Sequence, residues 1–320
     1  MKRPHGGAAD PALLDFSANV NPLGMPDSVR SVLADGASRV TRYSTPDARE
    51  FTAAVARHHR IPAECVLAGN GSSDLIYLVT RLFVGRSAHV VVPAFTEYED
   101  ACEASDIRVD RSNPVVTFLG NPSSPEGRLL KREDVLDHRG TLVVDEAFME
   151  FVDDQESLLL QAVTDPRLIV IRTLTKFYAI PGLRLGYLVA APETILKIRR
   201  LQPPWSVNAL AEAAGVAALQ EREYSQFTRR FVRDRREELS NALRSAGVEP
   251  LPSVTNYVLC RVADAALLCG ELLKRGIVAR NCDSFTGLEK NRYVRFAVRK
   301  RSENERLLGA LKEICEQCPA

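Results

Sequence analysis

The sequence has little net charge and no long apolar segment. Its 320 residues carry a formal net charge of +1, and its arginines are interleaved with acidic residues rather than clustered. Without a concentrated basic surface there is no electrostatic basis for binding a polyanion, so we expect no nucleic-acid partner. No apolar run approaches the roughly 18 to 20 residues that span a bilayer. The polar start, residues 1–7, lacks the apolar core of a signal peptide, and we expect a cytoplasmic protein without membrane association.

Disulfide and metal patterns are also missing. The seven cysteines are an odd number spread over a long chain, which does not form a disulfide framework. Cys315-x-x-Cys318 has half of the spacing of a zinc site, but no second pair or histidine lies nearby, so we expect no bound metal. The remaining composition, 45% hydrophobic and 26% charged, is typical of a soluble globular protein. The length predicts about two domains.

Lysine is scarce, and one lysine stands apart from the others. The chain has eight lysines against thirty-four arginines, and seven of the lysines lie at the N-terminus or in charged contexts. Lys176 lies instead between two apolar, β-prone runs. A desolvated ammonium near another cation, here Arg184, loses its proton more easily, which lets the amine form a Schiff base with a carbonyl. The alternative is a strand-edge lysine that extends to solvent.

Polar and glycine-rich residues follow several apolar runs. The segment 69–74 reads Gly-Asn-Gly-Ser-Ser-Asp and leads into a helical pattern, so the first helical turn could bind a phosphate at Gly71, Ser72 and Ser73. An ordinary serine N-cap is the alternative. The runs 88–92 and 141–145 predict buried parallel strands, and ligands bind beyond the carboxyl ends of such strands. Tyr98 follows the first run, and Asp145 is the last residue of the second. The alternatives are that Tyr98 packs in the core and that Asp145 caps a helix.

The lysine segment carries a resemblance to a known family. It reads Thr-Leu-Thr-Lys at 173–176 and Pro-Gly-Leu-Arg-Leu-Gly-Tyr at 181–187. This resembles the pyridoxal-phosphate lysine segment of the class I/II aminotransferase family. The resemblance implies that Lys176 holds the cofactor pyridoxal 5'-phosphate as a Schiff base. It also implies that Thr173, Thr175 and Arg184 hold the cofactor phosphate.

The same resemblance gives roles to the other cofactor residues. Asp145 pairs with the pyridinium nitrogen and so makes the ring an electron sink, and Tyr98 stacks on the ring. Tyr43 reaches across a dimer interface to the cofactor phosphate of the neighbouring subunit. Ser124 stands where the family has an asparagine bonded to the ring oxygen. A hydroxyl can still donate a hydrogen bond, but it cannot make the same pair of contacts.

Four residues are expected to bind the substrate. The segment 19–24, Asn-Val-Asn-Pro-Leu-Gly, resembles the family's N-terminal arm over the active site and places Asn19 near the substrate. Arg295 alternates with apolar residues on a predicted strand, where an inward arginine is costly without an anion. By resemblance it clamps the substrate α-carboxylate, and Arg280 binds a substrate phosphate. A surface-facing Arg280 is the alternative, and His5 completes the set.

The fold implied is an α/β fold-type I pyridoxal-phosphate transferase that forms a homodimer with shared active sites. A large cofactor-binding domain, residues 39–222, has a mostly parallel sheet sandwiched by helices. An N-terminal arm and a smaller α+β domain comprise residues 1–38 and 223–320. A long helix, predicted over Glu221 to Ser245, joins the two.

Several short sequence segments resemble those of the threonine-phosphate decarboxylase branch of the family. They are the His-Gly-Gly start at 5–7, the arm at 15–19, Phe148 and the loop at 280–285. They imply decarboxylation of L-threonine O-3-phosphate to (R)-1-amino-2-propanol phosphate in cobalamin biosynthesis. The alternative enzyme is a histidinol-phosphate aminotransferase that uses 2-oxoglutarate. A third possibility is a non-catalytic binding module of the same fold, although no helix-turn-helix precedes it here.

Overall fold

The structure is a computed structural model that describes residues 6–152 and 154–317. His5 and Cys318 therefore lie outside the described residues. The strands are β1 Leu14–Asp15, β2 Val66–Gly69, β3 Ser87–Val90, β4 Arg108–Val109, β5 Val116–Gly120, β6 Thr141–Asp145, β7 Leu168–Thr173, β8 Gly186–Ala190, β9 Glu249–Pro250, β10 Tyr257–Arg261, β11 Ile277–Val278, β12 Arg280–Asn281 and β13 Tyr293–Ala297.

Helices connect and cover these strands. They are α1 Asp27–Ala34, α2 Arg49–His59, α3 Gly71–Thr80, α4 Glu97–Ala104, α5 Arg132–Leu136, α6 Leu159–Ala162, α7 Pro192–Arg199, α8 Ala209–Ala218, α9 Arg222–Ser245, α10 Ala265–Lys274 and α11 Arg301–Gln317. Short 3-10 turns lie at Asp35–Ser38, Ala63–Cys65, Arg81–Phe83, Met149–Phe151, Asp154–Glu156 and Pro181–Leu183. Within the described residues, no helix has the length and apolar character needed to cross a membrane.

A seven-stranded sheet forms the centre of the fold, in the order β2-β8-β7-β6-β5-β3-β4. β8 is antiparallel to both of its neighbours, and the other neighbouring pairs are parallel. Strands such as β7 are buried along their whole length because helices cover both faces of the sheet. Leu168 and Val170 pack into one core, whereas Ile169 and Ile171 pack into another on the opposite face. The predicted parallel sheet between helices is confirmed.

A second sheet lies in the C-terminal part of the chain. Its four strands are antiparallel and lie in the order β12-β13-β10-β9. They pack with α10, α11 and the end of α9 around a separate core that includes Phe16 and Phe296. These two rings meet edge to face, with centroids 6.5 Å apart. The N-terminal arm therefore belongs to the core of this smaller sheet.

Two short segments differ from what their local patterns predict. The run Ile-Val-Ala-Arg at 277–280 predicts one strand, but β11 pairs in parallel with β1 whereas β12 joins the four-stranded sheet. The turn formers after residue 14 predict an ordered loop, but the structure has β1 there. The Leu14 amide donates to the Gly276 carbonyl, and the Phe16 amide donates to the Val278 carbonyl. A two-residue strand has no periodicity of its own, so only this distant pairing defines it.

The long helix α9 connects the two cores. Val232, in its first half, is buried in the core under the central sheet. Leu239 and Leu243, in its second half, are buried in the core of the smaller sheet. The helix begins at Arg222, one residue after the predicted start, and ends at Ser245 as predicted. The predicted domain limits at residues 38–39 and 222–223 stay a prediction.

Candidate active site

A cavity of about 280 Å³ opens beyond the carboxyl ends of β5 and β6. Its floor includes Gly120 and Asp145, which are the last residues of those two strands. Lys176, which follows β7, projects into the same space. The N-terminal arm and the small sheet complete the wall with Asn19 and Arg295. The chain therefore brings residues from four distant segments together at the edge of the sheet where α/β proteins bind ligands.

One negatively charged and two positively charged side chains act on the amine of Lys176. Burial lowers the pKa of Lys176 below its ordinary value, Asp145 opposes this shift, and Arg184 and Arg295 add to it. Its Nζ lies 5.0 Å from the centre of the Phe148 ring, so an apolar surface covers part of the amine. The lysine lines the cavity rather than extending along the outer surface. A larger neutral fraction of this amine is what nucleophilic attack on a carbonyl requires.

Asp145 and Tyr98 form a buried pair on the floor of the cavity. The Tyr98 hydroxyl donates to Asp145 Oδ2 at 2.9 Å, and the Ala147 amide donates to Oδ1 at 3.0 Å. Burial raises the pKa of Asp145, while Lys176 and Tyr98 act against that rise. A cationic ring nitrogen beside the carboxylate would offset the cost of burying its charge. Tyr98 also stacks on Phe118, with ring centroids 6.1 Å apart.

Arg184 and the first turn of α3 form an anion-binding corner. A Cβ at Gly71 would lie 2.7 Å from Arg184 Nη2, so any other residue would force the guanidinium to shift. Gly71 also has a φ of +84°, which favours glycine. Ser72 and Arg184 line the cavity. A helix N-terminus beside an arginine attracts a phosphate, because amide groups and the guanidinium both donate to it.

The two threonines before the lysine take different positions. Thr175 lines the cavity. Thr173 is buried behind it, where its hydroxyl donates to the Leu185 carbonyl at 2.9 Å and lies 2.9 Å from the Thr175 hydroxyl. Ser73 likewise does not line the cavity in the described part of the chain. The geometry thus brings Ser72 and Thr175 to the anion-binding corner, with Thr173 supporting Thr175.

Two arginines face the cavity from the small sheet. Arg280 and Arg295 are directly opposite in the antiparallel pair β12 and β13, so their side chains project from the same face. They are only 6% and 7% exposed, and the surface-facing alternative for Arg280 was wrong. Burial lowers the pKa of both guanidinium groups. Two buried like charges in contact with one cavity are costly unless an anion joins them.

These arginines contact aromatic rings and hydroxyl groups. Arg295 lies 4.9 Å from the centre of the Tyr257 ring and donates to the Ser124 hydroxyl at 3.2 Å. Arg280 lies 5.4 Å from the centre of the Phe285 ring and donates to the Ser284 hydroxyl at 2.8 Å. Ser124 therefore lines the cavity, where it accepts a hydrogen bond from Arg295, and its contact with the cofactor ring oxygen stays a prediction.

Two buried polar atoms in this wall lack a partner. Within residues 6–152 and 154–317, neither Asn19 Oδ1 nor Arg295 Nε has a hydrogen-bond partner. Both residues line the cavity. One atom is an acceptor and the other is a donor, so a ligand with both kinds of group would satisfy them.

Some residues lie elsewhere, and others were missed. Tyr43 is 87% exposed, is not part of the cavity wall as described, and packs on Trp205 with ring centroids 5.2 Å apart. Its contact with a neighbouring subunit stays a prediction. Phe95 and Phe285 line the cavity but were not identified as site residues. Phe95 follows β3, so the strand-end rule could have found it, whereas Phe285 comes into place only through the pairing of β12 with β13.

Residues 11–311 match the family model for aminotransferases of class I and II. The chain belongs to this aminotransferase family. It is 37% identical to the threonine-phosphate decarboxylase of Salmonella typhimurium, over 96% of this chain and 93% of that protein. It is 32% identical to the histidinol-phosphate aminotransferase of Nitratidesulfovibrio vulgaris, over 96% and 90%. The solved histidinol-phosphate aminotransferase of Clostridium acetobutylicum superposes with a TM-score of 0.88 at 28% identity, covering 95% of this chain and 99% of that one.

This member of the aminotransferase class I and II family has the fold-type I architecture, and its cofactor is pyridoxal phosphate. The cavity fits that cofactor on three independent grounds. Its lysine amine has a lowered pKa, its buried carboxylate has a raised pKa that a cationic ring nitrogen would lower, and its corner at Gly71 and Arg184 suits a phosphate. Each ground is a property of the residues present, and each matches one functional group of the cofactor.

Proposed function

We propose that this aminotransferase-family protein is a pyridoxal-phosphate-dependent lyase. It decarboxylates L-threonine O-3-phosphate to (R)-1-amino-2-propanol phosphate, a reaction of cobalamin biosynthesis. The observation that carries the proposal is the pair of buried arginines, Arg280 and Arg295, on the same cavity as Lys176. Threonine phosphate has two anionic groups and one amine, and this wall offers two guanidinium groups near one lysine. The resemblance to a threonine-phosphate decarboxylase over nearly the whole chain supports the same substrate.

The chain's own residues account for cofactor and substrate binding. Arg184, Ser72 and Thr175 would hold the cofactor phosphate, with Gly71 making room for Arg184 and Thr173 fixing Thr175. Asp145, oriented by the Tyr98 hydroxyl, would pair with the ring nitrogen. When bound, the cofactor supplies an electron sink for the bond that breaks at the substrate Cα.

Lys176 and the arginines account for the reaction step. Arg295 holds the α-carboxylate and Arg280 holds the phosphate, and the position of the carboxylate decides which Cα bond aligns for cleavage. The bond from Cα to the carboxylate breaks, CO2 leaves, and a proton from Lys176 Nζ takes its place at Cα. Because its pKa is lowered, the Lys176 ammonium gives up that proton more readily than an ordinary lysine does.

The homodimer and the cytoplasmic location belong to this proposal as expectations from the sequence. The exposed Tyr43 ring, packed on Trp205, is available to a second subunit. Sedimentation of the wild type and of Tyr43→Ala tests the dimer, and loss of cofactor affinity in Tyr43→Ala with the dimer intact would support a contact across subunits. Equal cofactor affinity in both would contradict that contact.

The reaction is tested with the loaded protein and L-threonine O-3-phosphate alone. We expect CO2 release in the absence of any keto acid, and no release by Lys176→Ala. A protein that turns over only histidinol phosphate, and only with 2-oxoglutarate, is an aminotransferase instead. The close superposition on a solved histidinol-phosphate aminotransferase makes this the second candidate.

A non-catalytic binding module would fail both assays while still holding the cofactor. Borohydride reduction separates this case from an inactive preparation, because it fixes a lysine-bound cofactor permanently. We expect a label on Lys176, and in the wild type substrate added before the borohydride should prevent that label. A label that persists in the presence of threonine phosphate would support the binding module.

A further inference from the structure

The first described residues of the chain lie against the N-terminal arm. Residues 6–8, here called the strap, contact the turn at residues 15–18. The Gly7 amide donates to Ser17 Oγ at 2.8 Å, and the Ala8 amide donates to Asp15 Oδ2 at 3.0 Å. A Cβ at Gly6 would collide with the Ser17 carbonyl, so the strap approaches the turn as closely as a glycine backbone permits. Gly6 and Ser17 both line the cavity.

Asp15 is the centre of this contact. Its Oδ1 accepts the Ser17 amide at 2.7 Å, the Ser17 hydroxyl at 2.6 Å and the Ala18 amide at 3.2 Å, and its Oδ2 accepts the strap. Burial alone would raise the pKa of Asp15, but these hydrogen bonds outweigh it and leave the pKa below its ordinary value. The described hydrogen bonds of this carboxylate thus all go to the strap and to the turn at residues 15–18.

The turn that Asp15 organises leads directly to the substrate side of the cavity. Asn19 follows it, with its carbonyl held by Asn256 Nδ2 at 3.0 Å. Two residues further on, the backbone amide of Asn21 donates to the backbone carbonyl of Lys176 at 3.0 Å. Asp15 is therefore joined through five residues of chain to the backbone of the cofactor lysine, although it does not line the cavity itself as described.

We propose that Asp15 is a positioning residue that fastens the strap to the turn at residues 15–18 and so completes the cavity wall around Asn19. The expected effect of Asp15 on substrate kinetics rests on the proposed function, whereas its expected effect on the hydrogen bonds of the strap does not. Asp15 touches neither cofactor nor substrate, and acts through Ser17, the strap and Asn19. Its loss loosens the substrate side of the cavity and leaves Asp145 and Arg184 in place.

Amide hydrogen exchange of the cofactor-free protein tests the structural part. We expect the amides of Gly7, Ala8, Ser17 and Ala18 to exchange about tenfold faster or more in Asp15→Ala, because each loses its acceptor or the partner that fixes it. Asp10→Ala is the matched control. It removes an acidic side chain from the same segment, whose only described hydrogen bond is to the Ala12 amide at 2.9 Å, and should leave the strap protected.

Equal exchange of the strap amides in the wild type and in Asp15→Ala would overturn the proposal. Ser17→Ala removes only one acceptor from the strap and keeps the backbone bonds to Asp15. It should expose the Gly7 amide and leave Ala18 protected, so it provides a readout if Asp15→Ala does not fold. Neither measurement needs substrate, and so the result stands whether or not the decarboxylase assay succeeds.

Steady-state kinetics tests the functional part. We expect KM for L-threonine O-3-phosphate to rise about tenfold in Asp15→Ala, with kcat within about threefold of the wild type. The absorbance of the lysine-bound cofactor should not change. Asp15→Asn retains an oxygen acceptor and should restore part of the affinity. A fall in kcat with an unchanged KM, or loss of the cofactor band, would show that Asp15 does not act on the substrate side.

Discussion

The buried ion pair of Arg172 and Glu146 supports the strands that carry the active site. Arg172 is only 1% exposed, and Nε and Nη2 both donate to Glu146 Oε2, at 2.9 and 2.8 Å. It also donates to Glu150 at 3.0 Å, Asp154 at 3.1 Å and Ser157 at 2.9 Å. Removing one member of such a pair leaves a buried charge without compensation. We expect Arg172→Met to lower the free energy of unfolding by about 3 to 5 kcal/mol.

The magnitude is tested with matched variants and urea unfolding followed by circular dichroism. Arg167→Met removes an exposed pair with Asp165, whose atoms lie 3.2 Å apart, and should cost less than about 1 kcal/mol. The double variant of Glu146→Gln and Arg172→Met should cost less than the sum of the two single changes, because it removes both charges together. Additive costs, or a loss in Arg172→Met no larger than in Arg167→Met, would refute this reasoning.

The remaining predictions concern the cofactor and substrate. Gly71→Ala should displace Arg184 and so raise the dissociation constant for pyridoxal phosphate about tenfold or more, as measured by absorbance titration. Gly85→Ala is the control and should leave this constant unchanged, because Gly85 also has a positive φ, +71°, but no atom lies within 4 Å of its Cβ position. Arg295→Lys should raise KM for threonine phosphate about tenfold or more, because lysine cannot make the bidentate contact, and an unchanged KM would contradict the clamp. Between the lowered pKa of Lys176 in the folded protein and its ordinary value of 10.5, the folded state binds fewer protons at this amine than the unfolded state does. The free energy of unfolding of the apoprotein should therefore rise with pH more steeply in the wild type than in Lys176→Met. Parallel curves for the two proteins would exclude the pKa shift.

The sequence predicted the parts of the fold with strong local patterns. Residues 142–144 and 168–171 are continuous apolar segments because helices cover both faces of the sheet, and burial on two faces leaves no polar position within them. Lys176 was recognisable because a lysine between two apolar, β-prone runs is expected to be desolvated. Arg295 was recognisable for the same reason, as a charge in an apolar strand.

The rest depends on contacts between distant segments. The pairing of β1 with β11 joins the arm to the small sheet through two residues on each side, which is too short for any pattern. The burial of Arg280 follows from its register opposite Arg295, and no local feature distinguishes it from a surface arginine. The strap contact of Asp15 is similar, because an aspartate near serine is usually part of an ordinary turn.

The end of β6 shows why stability and chemistry are coupled in this site. Successive side chains of a strand point to opposite faces, so Asp145 faces the cavity and Glu146 faces Arg172 on the other side. The Glu146 amide donates to the Ile171 carbonyl at 2.8 Å, which fixes the end of β6 against β7. β7 in turn leads to Lys176. The distance between the Asp145 carboxylate and the Lys176 amine is therefore set partly by the ion pair of Arg172 and Glu146, which does not line the cavity as described. A change in this pair should alter the pH dependence of the cofactor absorbance as well as the stability.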